Sequence, residues 1–485
     1  MDDAIRFALN GAPVAVRGVR PTTTLLDWLR ETRGLKGTKE GCAEGDCGAC
    51  TVAVREVGPD GRLRTVPINA CIQLLPMMHG RDVVTVEALA GPDGALSPVQ
   101  QAMAELHGSQ CGFCTPGFVM TLWAARRAGL APEPAAVAEA LAGNLCRCTG
   151  YGPILAAAAR SLSQPVAPWE ETDAAVAERL SALGADGPLD YAAEGRRFLA
   201  PTDLDALADL AAALPEATLV SGATDVGLWV TKALFDPETI IWTGRVAEMK
   251  AIRREGDALL IGAGATYAEA LAEIEAPYPD IGALIRRIGG GQVRAAGAVG
   301  ANIANGSPIG DMPPALIAAG ARLLLRHGSA RREMPLEAFF LDYRKQDRRP
   351  GEIVEAVRLP LPAEPGRLRC HKVSKRFDQD ITAVLGCFDV AVEGGVVASA
   401  RLAYGGMAGV PKRAAAAEAA LVGRPWTEES VRAAMIALER DFAPLTDMRA
   451  SAAYRMTVAR NLLMRHFIET TQPHVETRLS RRPAA

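Results

Sequence analysis

The chain has 485 residues, with 53 Lys and Arg against 56 Asp and Glu, and by length it should hold about three or four domains. The near balance of charge and the lack of a long basic run exclude nucleic acid and an anionic membrane surface as expected partners. No apolar run reaches the roughly eighteen residues that a membrane span needs. The six histidines lie far apart in no H-x-x-H or H-E-x-x-H pattern, so a histidine metal site has no local support. No apolar leader with a cleavage site is visible, and the expectation is a cytoplasmic chain whose ten cysteines stay reduced.

Residues 1–88 read as a small mixed α/β domain. Ile5, Phe7 and Leu9 alternate as a strand, Asn10-Gly11 predicts a type I′ turn, and Val14 and Val16 return. A helix is expected over 24–33, with Leu25, Leu26, Trp28 and Leu29 on one face. There follow Cys42, Cys47 and Cys50 in the order C-x4-C-x2-C, with a fourth thiol at Cys71. That is the plant-type spacing for a [2Fe–2S] cluster. Gly41, Gly45 and Gly48 let the backbone wrap closely and turn its N–H groups toward bridging sulfides. Four cysteines at unrelated spacings would read as structural zinc; here the spacing and the glycines favour iron–sulfur. A strand over 51–54 leaves the loop, and Asn69-Ala70 returns the fourth thiol.

From 89 to 163 the pattern becomes helical. Ser97, Pro98 and Gln100 form a capping-box start for a helix running to about His107. Cys111-Gly112-Phe113-Cys114 is a turn, Thr115-Pro116 opens a helix to Arg127, and helices over about 133–142 and 151–161 flank Cys146-Arg147-Cys148. C-x2-C with C-x-C suits zinc as well as iron, and the companion site tips it toward a second cluster. Each quartet supplies the four thiolates that two sulfide-bridged irons require. Helix N-termini near such an anionic centre stabilise it.

Gln110-Cys111-Gly112-Phe113-Cys114-Thr115-Pro116-Gly117 and Gly143-Asn144-Leu145-Cys146-Arg147-Cys148-Thr149-Gly150-Tyr151 resemble the signature of the molybdenum hydroxylase family, that of xanthine dehydrogenase and its relatives. Residues 1–88 are similar to the β-grasp fold of plant-type ferredoxins, the domain that precedes the four-helix one in this family. The resemblance implies that the second cluster lies nearest a molybdenum centre and the first nearest a flavin.

Residues 164–190 read as an exposed linker with room for one short helix. From 191 to 362 a new domain begins, where Thr202 is expected to cap a helix striped by Leu204, Leu207, Leu210 and Leu214. Leu219-Val220-Ser221-Gly222-Ala223-Thr224-Asp225-Val226 then runs from a strand into a turn. A second glycine-containing run covers 297–311. Either run alone reads first as a tight turn, and second as a loop whose successive N–H groups could cradle a pyrophosphate. Gly262-Ala263-Gly264 is not a dinucleotide fingerprint, since no x-x-G completes it. As a pair the two runs resemble the family's FAD loops, with Gly222, Thr224, Asp225, Val299, Gly300, Asn302, Ser307 and Asp311 carrying the match. Ala223 stands where some relatives have Asn, and Ala301 where many have Gly. The resemblance also puts Val354 near the isoalloxazine ring.

A last domain, 366–475, mixes strands over 381–392 and 396–404 with helices over about 427–439 and 449–468. The run 372–381 reads from composition as a solvated charged turn. The resemblance implies instead that Lys372 meets the flavin and that Lys375, Asp378 and Asp380 face the mouth through which NAD approaches. Cys370 and Cys387 fit neither quartet and read as inert thiols. The final ten residues, ending Arg481-Arg482-Pro483-Ala484-Ala485, read as a frayed tail.

The expected fold is thus multidomain α+β: a β-grasp ferredoxin-like domain, a four-helix [2Fe–2S] domain, a two-part α+β FAD-binding domain and an α+β flavoprotein C-terminal domain. The resemblance implies an electron-transfer subunit with two [2Fe–2S] clusters and FAD, NAD as acceptor, and hypoxanthine or xanthine oxidised at a molybdopterin-binding large partner. It further implies a dimer of heterodimers. The alternative is a relative that oxidises aldehydes or N-heterocycles and uses another acceptor.

Overall fold

The computed structural model describes residues 3–58 and 60–477, so the expected tail lies, from residue 478 on, outside the described residues. They form two compact units. One holds the chain up to Lys250 together with Gly289–Gly297; the other holds Ala251–Ile288 and the chain from Ala298 onward.

In the first unit, β1 (Ile5–Leu9) and β2 (Ala12–Val16) pair antiparallel with Leu9 opposite Ala12. Asn10 (φ 51°) and Gly11 (φ 84°) hold the two left-handed positions of a type I′ turn. β3 (Thr51–Val57), β4 (Leu63–Asn69) and β5 (Asp82–Val84) complete a mixed sheet of order β2-β1-β5-β3-β4, with β1 and β5 parallel. β4 accommodates Pro67 because it lies at the sheet edge, where a missing N–H breaks no interior ladder. The expected helix over 24–33 is one α turn, Leu25–Asp27 capped by Thr24, that widens into a π turn over Trp28–Thr32. Its apolar face is buried as expected, with Trp28 edge-on to Phe7 at 5.4 Å.

Four helices follow: Pro98–Glu105, Thr115–Arg127, Pro134–Leu141 and Gly152–Leu162. Ser97 and Gln100 close the capping box that the sequence predicts. Met103, Phe118, Leu122, Trp123 and Ile154 fill the space between these helices.

The stretch 164–190 holds the one short helix for which the linker had room, but it is packed down and not loose. That helix, Asp173–Ala182, departs from the expectation in burying Val176 and Leu180. Arg179 from that helix donates to Asp82 at 2.8 Å, and Arg55 reaches Asp82 at 2.6 Å and Glu171 at 2.8 Å. Asp82 is wholly buried, so it requires these partners, and they pin the segment down. Next come β6 (Leu189–Ala193), β7 (Arg196–Ala200), β8 (Thr218–Val220) and β9 (Thr239–Trp242), in sheet order β6-β7-β9-β8. The cap of the helix Leu204–Ala213 is Asp203 rather than Thr202; its carboxylate accepts from Ala206 N–H at 2.8 Å. Tyr191, Phe198, Ile240 and Trp242 share one apolar core with Phe7, Leu25 and Trp28. The first cysteine loop and the 219–226 turn are therefore packed onto a common base.

Besides a two-stranded ribbon, Phe340–Asp342 with Lys345–Gln346, the second unit holds two larger antiparallel sheets. One joins Ile252–Glu255, Ala258–Gly262, Ile353–Pro360, Arg322–His327 and Ala330–Pro335 in that order. The other joins Arg369–Val373, Val384–Glu393, Val396–Gly405 and Lys412–Arg413. The expected helices form over Glu428–Asp441 and Ala452–Thr471, and bury Val431, Leu438, Leu462 and Leu463 against the second sheet. Cys370 faces Cys387 across neighbouring strands there.

His466 is buried beside Phe388 and Trp426, and its ring nitrogens meet no hydrogen-bond partner among the described residues. Burial lowers its pKa from 6.5 to about 4; Glu469, Asp280 and Asp389 oppose that shift, and Arg369 adds to it. As pH falls from about 6.5 to about 4 the unfolded chain takes a proton that the folded chain refuses, so stability drops through that window by up to about 3 kcal/mol. His466→Leu should flatten this acid limb in denaturant titrations run across that range. An unchanged slope would clear His466 of the effect.

Candidate iron–sulfur and flavin sites

The first quartet sits in a loop built around left-handed backbone positions, Ala43 (φ 54°), Gly45 (φ 78°) and Gly48 (φ 72°). Cys50 and Cys71 are buried with their sulfurs 3.3 Å apart, and Cys42 Sγ accepts from the Cys47 N–H at 3.4 Å. Asn69 Nδ2 donates to Gly45 O at 2.7 Å and holds the loop over the strand that delivers Cys71. Contact with Cys47 and Cys71 lowers the Cys42 pKa, while contact with Cys42 raises those of Cys47 and Cys71. Such thiols cannot all ionise unless cationic metal sits among them, so the donor set fits a metal centre, and its spacing is the one that suits iron–sulfur.

The second quartet is more open. Cys146 is buried, Cys114 half-buried, and Cys111 and Cys148 exposed. Burial, and then contact with Cys146, pushes Cys114 up to about 12. Contact with Cys111 raises Cys148. The four thiols thus lie within reach of one another, with contacts from Cys114 to Cys146 and from Cys111 to Cys148. Among the described residues no three His, Cys, Asp or Glu side chains converge on one ion; a bridged two-iron cluster asks for two thiolates at each iron. Tyr151, at φ 68°, folds the chain so that its hydroxyl accepts from Cys146 N–H at 3.0 Å. Phe113, Leu145 and Tyr151 are exposed around this quartet.

The two cysteine loops touch. Leu145 N–H donates to Cys47 O at 3.0 Å, and Asn144 Nδ2 donates to Gly48 O at 3.1 Å. On its other side the first loop touches the 219–226 turn. Gln73 Nε2 donates to Gly222 O at 2.8 Å and Thr231 Oγ1 to Ala43 O at 2.8 Å. Gln73 was not singled out from the sequence, and its place two residues past Cys71 is the only signal it offers.

Of the expected flavin residues in the first unit, Leu219 and Val220 end β8, Ser221 O accepts from Trp242 Nε1 at 2.9 Å, and Ala223 takes the left-handed position (φ 55°). A Cβ at Gly222 would overlap Ala296 O. Thr224 is half-buried, Asp225 exposed, and Val226 opens a short helix.

In the second unit the run 297–311 is not the loop expected: Val299–Asn305 is a helix. The N–H groups of Val299 and Gly300 are already bonded to Ala265 O and Ala263 O, both at 2.9 Å, so neither is presented to a pyrophosphate. Asn302 Oδ1 is buried with no hydrogen-bond partner among the described residues, an acceptor that a bound ligand could satisfy. Ser307 Oγ accepts from Ile309 N–H at 3.4 Å. Lys372 and Asp311 meet as a buried ion pair at 2.7 Å, with Thr382 Oγ1 also donating to Asp311. Lys372 is in a strand and not in a solvated turn; the exposed part of that run is Lys375, Arg376, Phe377 and Ile381. Lys375 Nζ donates to Met448 O, and Asp380, lowered by the Arg376 N–H against its burial, closes the turn around Asp378. Val354 is buried in the strand Ile353–Pro360.

Four domain families match in sequence. Residues 7–72 match the 2Fe-2S iron-sulfur cluster binding domain and 85–159 the [2Fe-2S] binding domain. Residues 193–362 match the FAD binding domain in molybdopterin dehydrogenase, and 369–470 the CO dehydrogenase flavoprotein C-terminal domain. The chain is therefore an iron–sulfur flavoprotein, with the multidomain α+β architecture expected.

It is 32% identical to xanthine dehydrogenase of Emericella nidulans over 99% of its own length and 39% of that protein. It is 30% identical to aldehyde oxidase 4 of Cavia porcellus over 88% of its length and 36% of that one. A structure of carbon monoxide dehydrogenase from Hydrogenophaga pseudoflava, lacking the Mo-pyranopterin moiety, aligns with a TM-score of 0.52 at 28% identity, over 55% of this chain and 94% of that one. The chain belongs to the molybdenum hydroxylase family, and what it contains is that family's iron–sulfur/FAD portion. It spans about two fifths of the length of the curated relatives it matches.

Proposed function

We propose that this chain is the electron-transfer subunit of a bacterial-type xanthine dehydrogenase, taking electrons from hypoxanthine or xanthine oxidised at a molybdopterin-binding partner and passing them to NAD. Cys42, Cys47, Cys50 and Cys71 would hold one [2Fe–2S] cluster, and Cys111, Cys114, Cys146 and Cys148 the other. Gly222, Thr224, Asp225, Asn302, Ser307, Asp311 and Lys372 would serve FAD. When bound, the clusters supply one-electron steps and the flavin converts these to hydride chemistry. The observation that carries the reading is the unbroken run of contacts in the first unit, from the 219–226 turn to the first cysteine loop and on to the second. It ends at exposed Cys111 and Cys148 among exposed Phe113, Leu145 and Tyr151, a suitable face for the molybdenum partner. Lys375, Asp378 and Asp380 remain the candidates for the NAD-facing turn. No helix among the described residues is long and apolar enough to cross a membrane; we place the chain in the cytoplasm, in a dimer of heterodimers.

The test is purification from the source under anaerobic conditions. Iron and labile sulfide should each reach about four per chain, a molybdenum-containing partner should co-purify, and NADH should bleach the flavin. Zinc in place of iron would remove the reading. The similarity to an aldehyde oxidase supports a second reading, in which the partner oxidises aldehydes or N-heterocycles and another acceptor replaces NAD. Iron-replete enzyme whose flavin ignores NADH but is reoxidised by oxygen or a quinone would select it.

A further inference from the structure

The segment Gly289–Gly297 belongs by sequence to the FAD-binding stretch, but it packs in the same unit as both cysteine loops. Its helix, Gly291–Ala296, carries Gln292, which is 1% exposed. Gln292 Nε2 lies 3.1 Å from Thr51 Oγ1, 3.1 Å from Thr121 Oγ1 and 3.0 Å from Asn144 Oδ1. Each of these is tied to a thiol. Thr51 follows Cys50, Asn144 precedes Cys146 by two residues, and Thr121 lies on the helix whose N-cap is Cys114. Thr121 Oγ1 donates to Asn144 Oδ1 at 2.8 Å, Thr51 Oγ1 to Gly48 O at 2.7 Å, and Asn144 Nδ2 to the same Gly48 O.

The backbone around this amide leaves no space for side chains. A Cβ at Gly48 would overlap Gly143 O, one at Gly117 would overlap Gly48 O, and one at Gly143 would overlap Gln292 Oε1. Gly41 and Gly45 are a different case, since their Cβ positions face Cys47 and Ile72 within the first loop. Loops that meet through bare glycine backbone have no interdigitating side chains to set their register, and buried polar groups do it instead. Electron tunnelling falls off exponentially with separation, so a small slip between the loops matters far more for transfer than for folding.

We propose that Gln292 is a positioning residue for electron transfer between the two iron–sulfur centres. It is supplied by the flavin-binding stretch, and it locks the Cys47 and Cys146 loops in the register that keeps the Leu145 N–H bonded to Cys47 O. The transfer it governs moves one electron and makes or breaks no bond. The inference rests on the proposed cluster assignment and adds a residue outside both cysteine motifs.

The experiment uses the purified complex carrying Gln292→Leu, which keeps the volume and removes the amide, beside the milder Thr121→Val. Iron, sulfide and flavin content and the rate of flavin reduction by NADH should match the parent. In low-temperature EPR of the fully reduced enzyme, the magnetic splitting between the two centres should shrink in both variants. Rapid-freeze sampling after NADH addition should show reduction of the second centre slowed several-fold. Thr121→Ser, which retains the hydroxyl, should restore parental splitting. Full iron content with unchanged splitting and rate in Gln292→Leu would overturn the proposal. If Gln292→Leu does not accumulate, unchanged splitting in Thr121→Val would do so. Parent enzyme without iron and sulfide would overturn the cluster assignment itself, a separate result.

Discussion

Cys148→Ser is expected to lower iron from about four to about two atoms per chain while the protein stays folded. The thiol is exposed and in contact with Cys111, and its loss removes one of the four thiolates that would hold the second cluster. The apolar core of that four-helix domain is built from Met103, Phe118, Leu122, Trp123 and Ile154 and includes neither Cys111 nor Cys148, so the fold should survive. Serine oxygen is a harder donor than thiolate, so any centre retained should show an altered EPR signal and potential. Flow from the molybdenum partner should stop or fall steeply. NADH should still reduce the flavin, because the 219–226 turn lies against the first loop through Gln73 and Thr231, not against the second. Loss of NADH-dependent flavin reduction in folded Cys148→Ser protein would invert the proposed order of centres.

The chemistry at the cysteines was legible because ligand spacing is a local property. C-x4-C-x2-C and the two short pairs say which thiols act together without reference to the rest of the chain. The Asn10-Gly11 turn and the Ser97–Gln100 capping box were legible for the same reason. The glycines misled where their purpose was distant. Gly300 suggested a flexible loop, but its φ is not left-handed; it is glycine because a Cβ would overlap Ala263, 37 positions earlier in numbering and bonded to it through the Gly300 N–H. At 219–226 the left-handed position falls on Ala223, and Gly222 instead makes room for Ala296 O. A glycine serves either backbone freedom or close approach, and only tertiary structure tells which. Gln292 gave no signal at all, since its nearest hydroxyl partner in the first loop is 241 positions away. The 164–190 stretch read as a linker because its prolines, glycines and acids look solvated, whereas Glu171 and Arg179 are held by Arg55 and Asp82 from the first domain.

Lys372→Met is expected to destabilise the second unit by about 3–5 kcal/mol, the usual consequence of leaving one member of a buried ion pair alone. Lys372 and Asp311 side chains are 3% and 8% exposed, so water does little to screen them. Lys372 Nζ also donates to Arg287 O at 3.0 Å, and once the ammonium is gone Asp311 keeps, among the described residues, Thr382 alone. Denaturant midpoints read that loss directly. Pairing the change with Asp311→Leu removes both charges, and buried ion pairs exchanged for apolar groups of similar size are often neutral, so most of the stability should return. The flavin should not return with it. If these two groups serve FAD, its content should be low in Lys372→Met and stay low in the stable double variant. A double variant that regains both its midpoint and its full complement of flavin would make the pair a structural brace and take Asp311 and Lys372 out of the cofactor site.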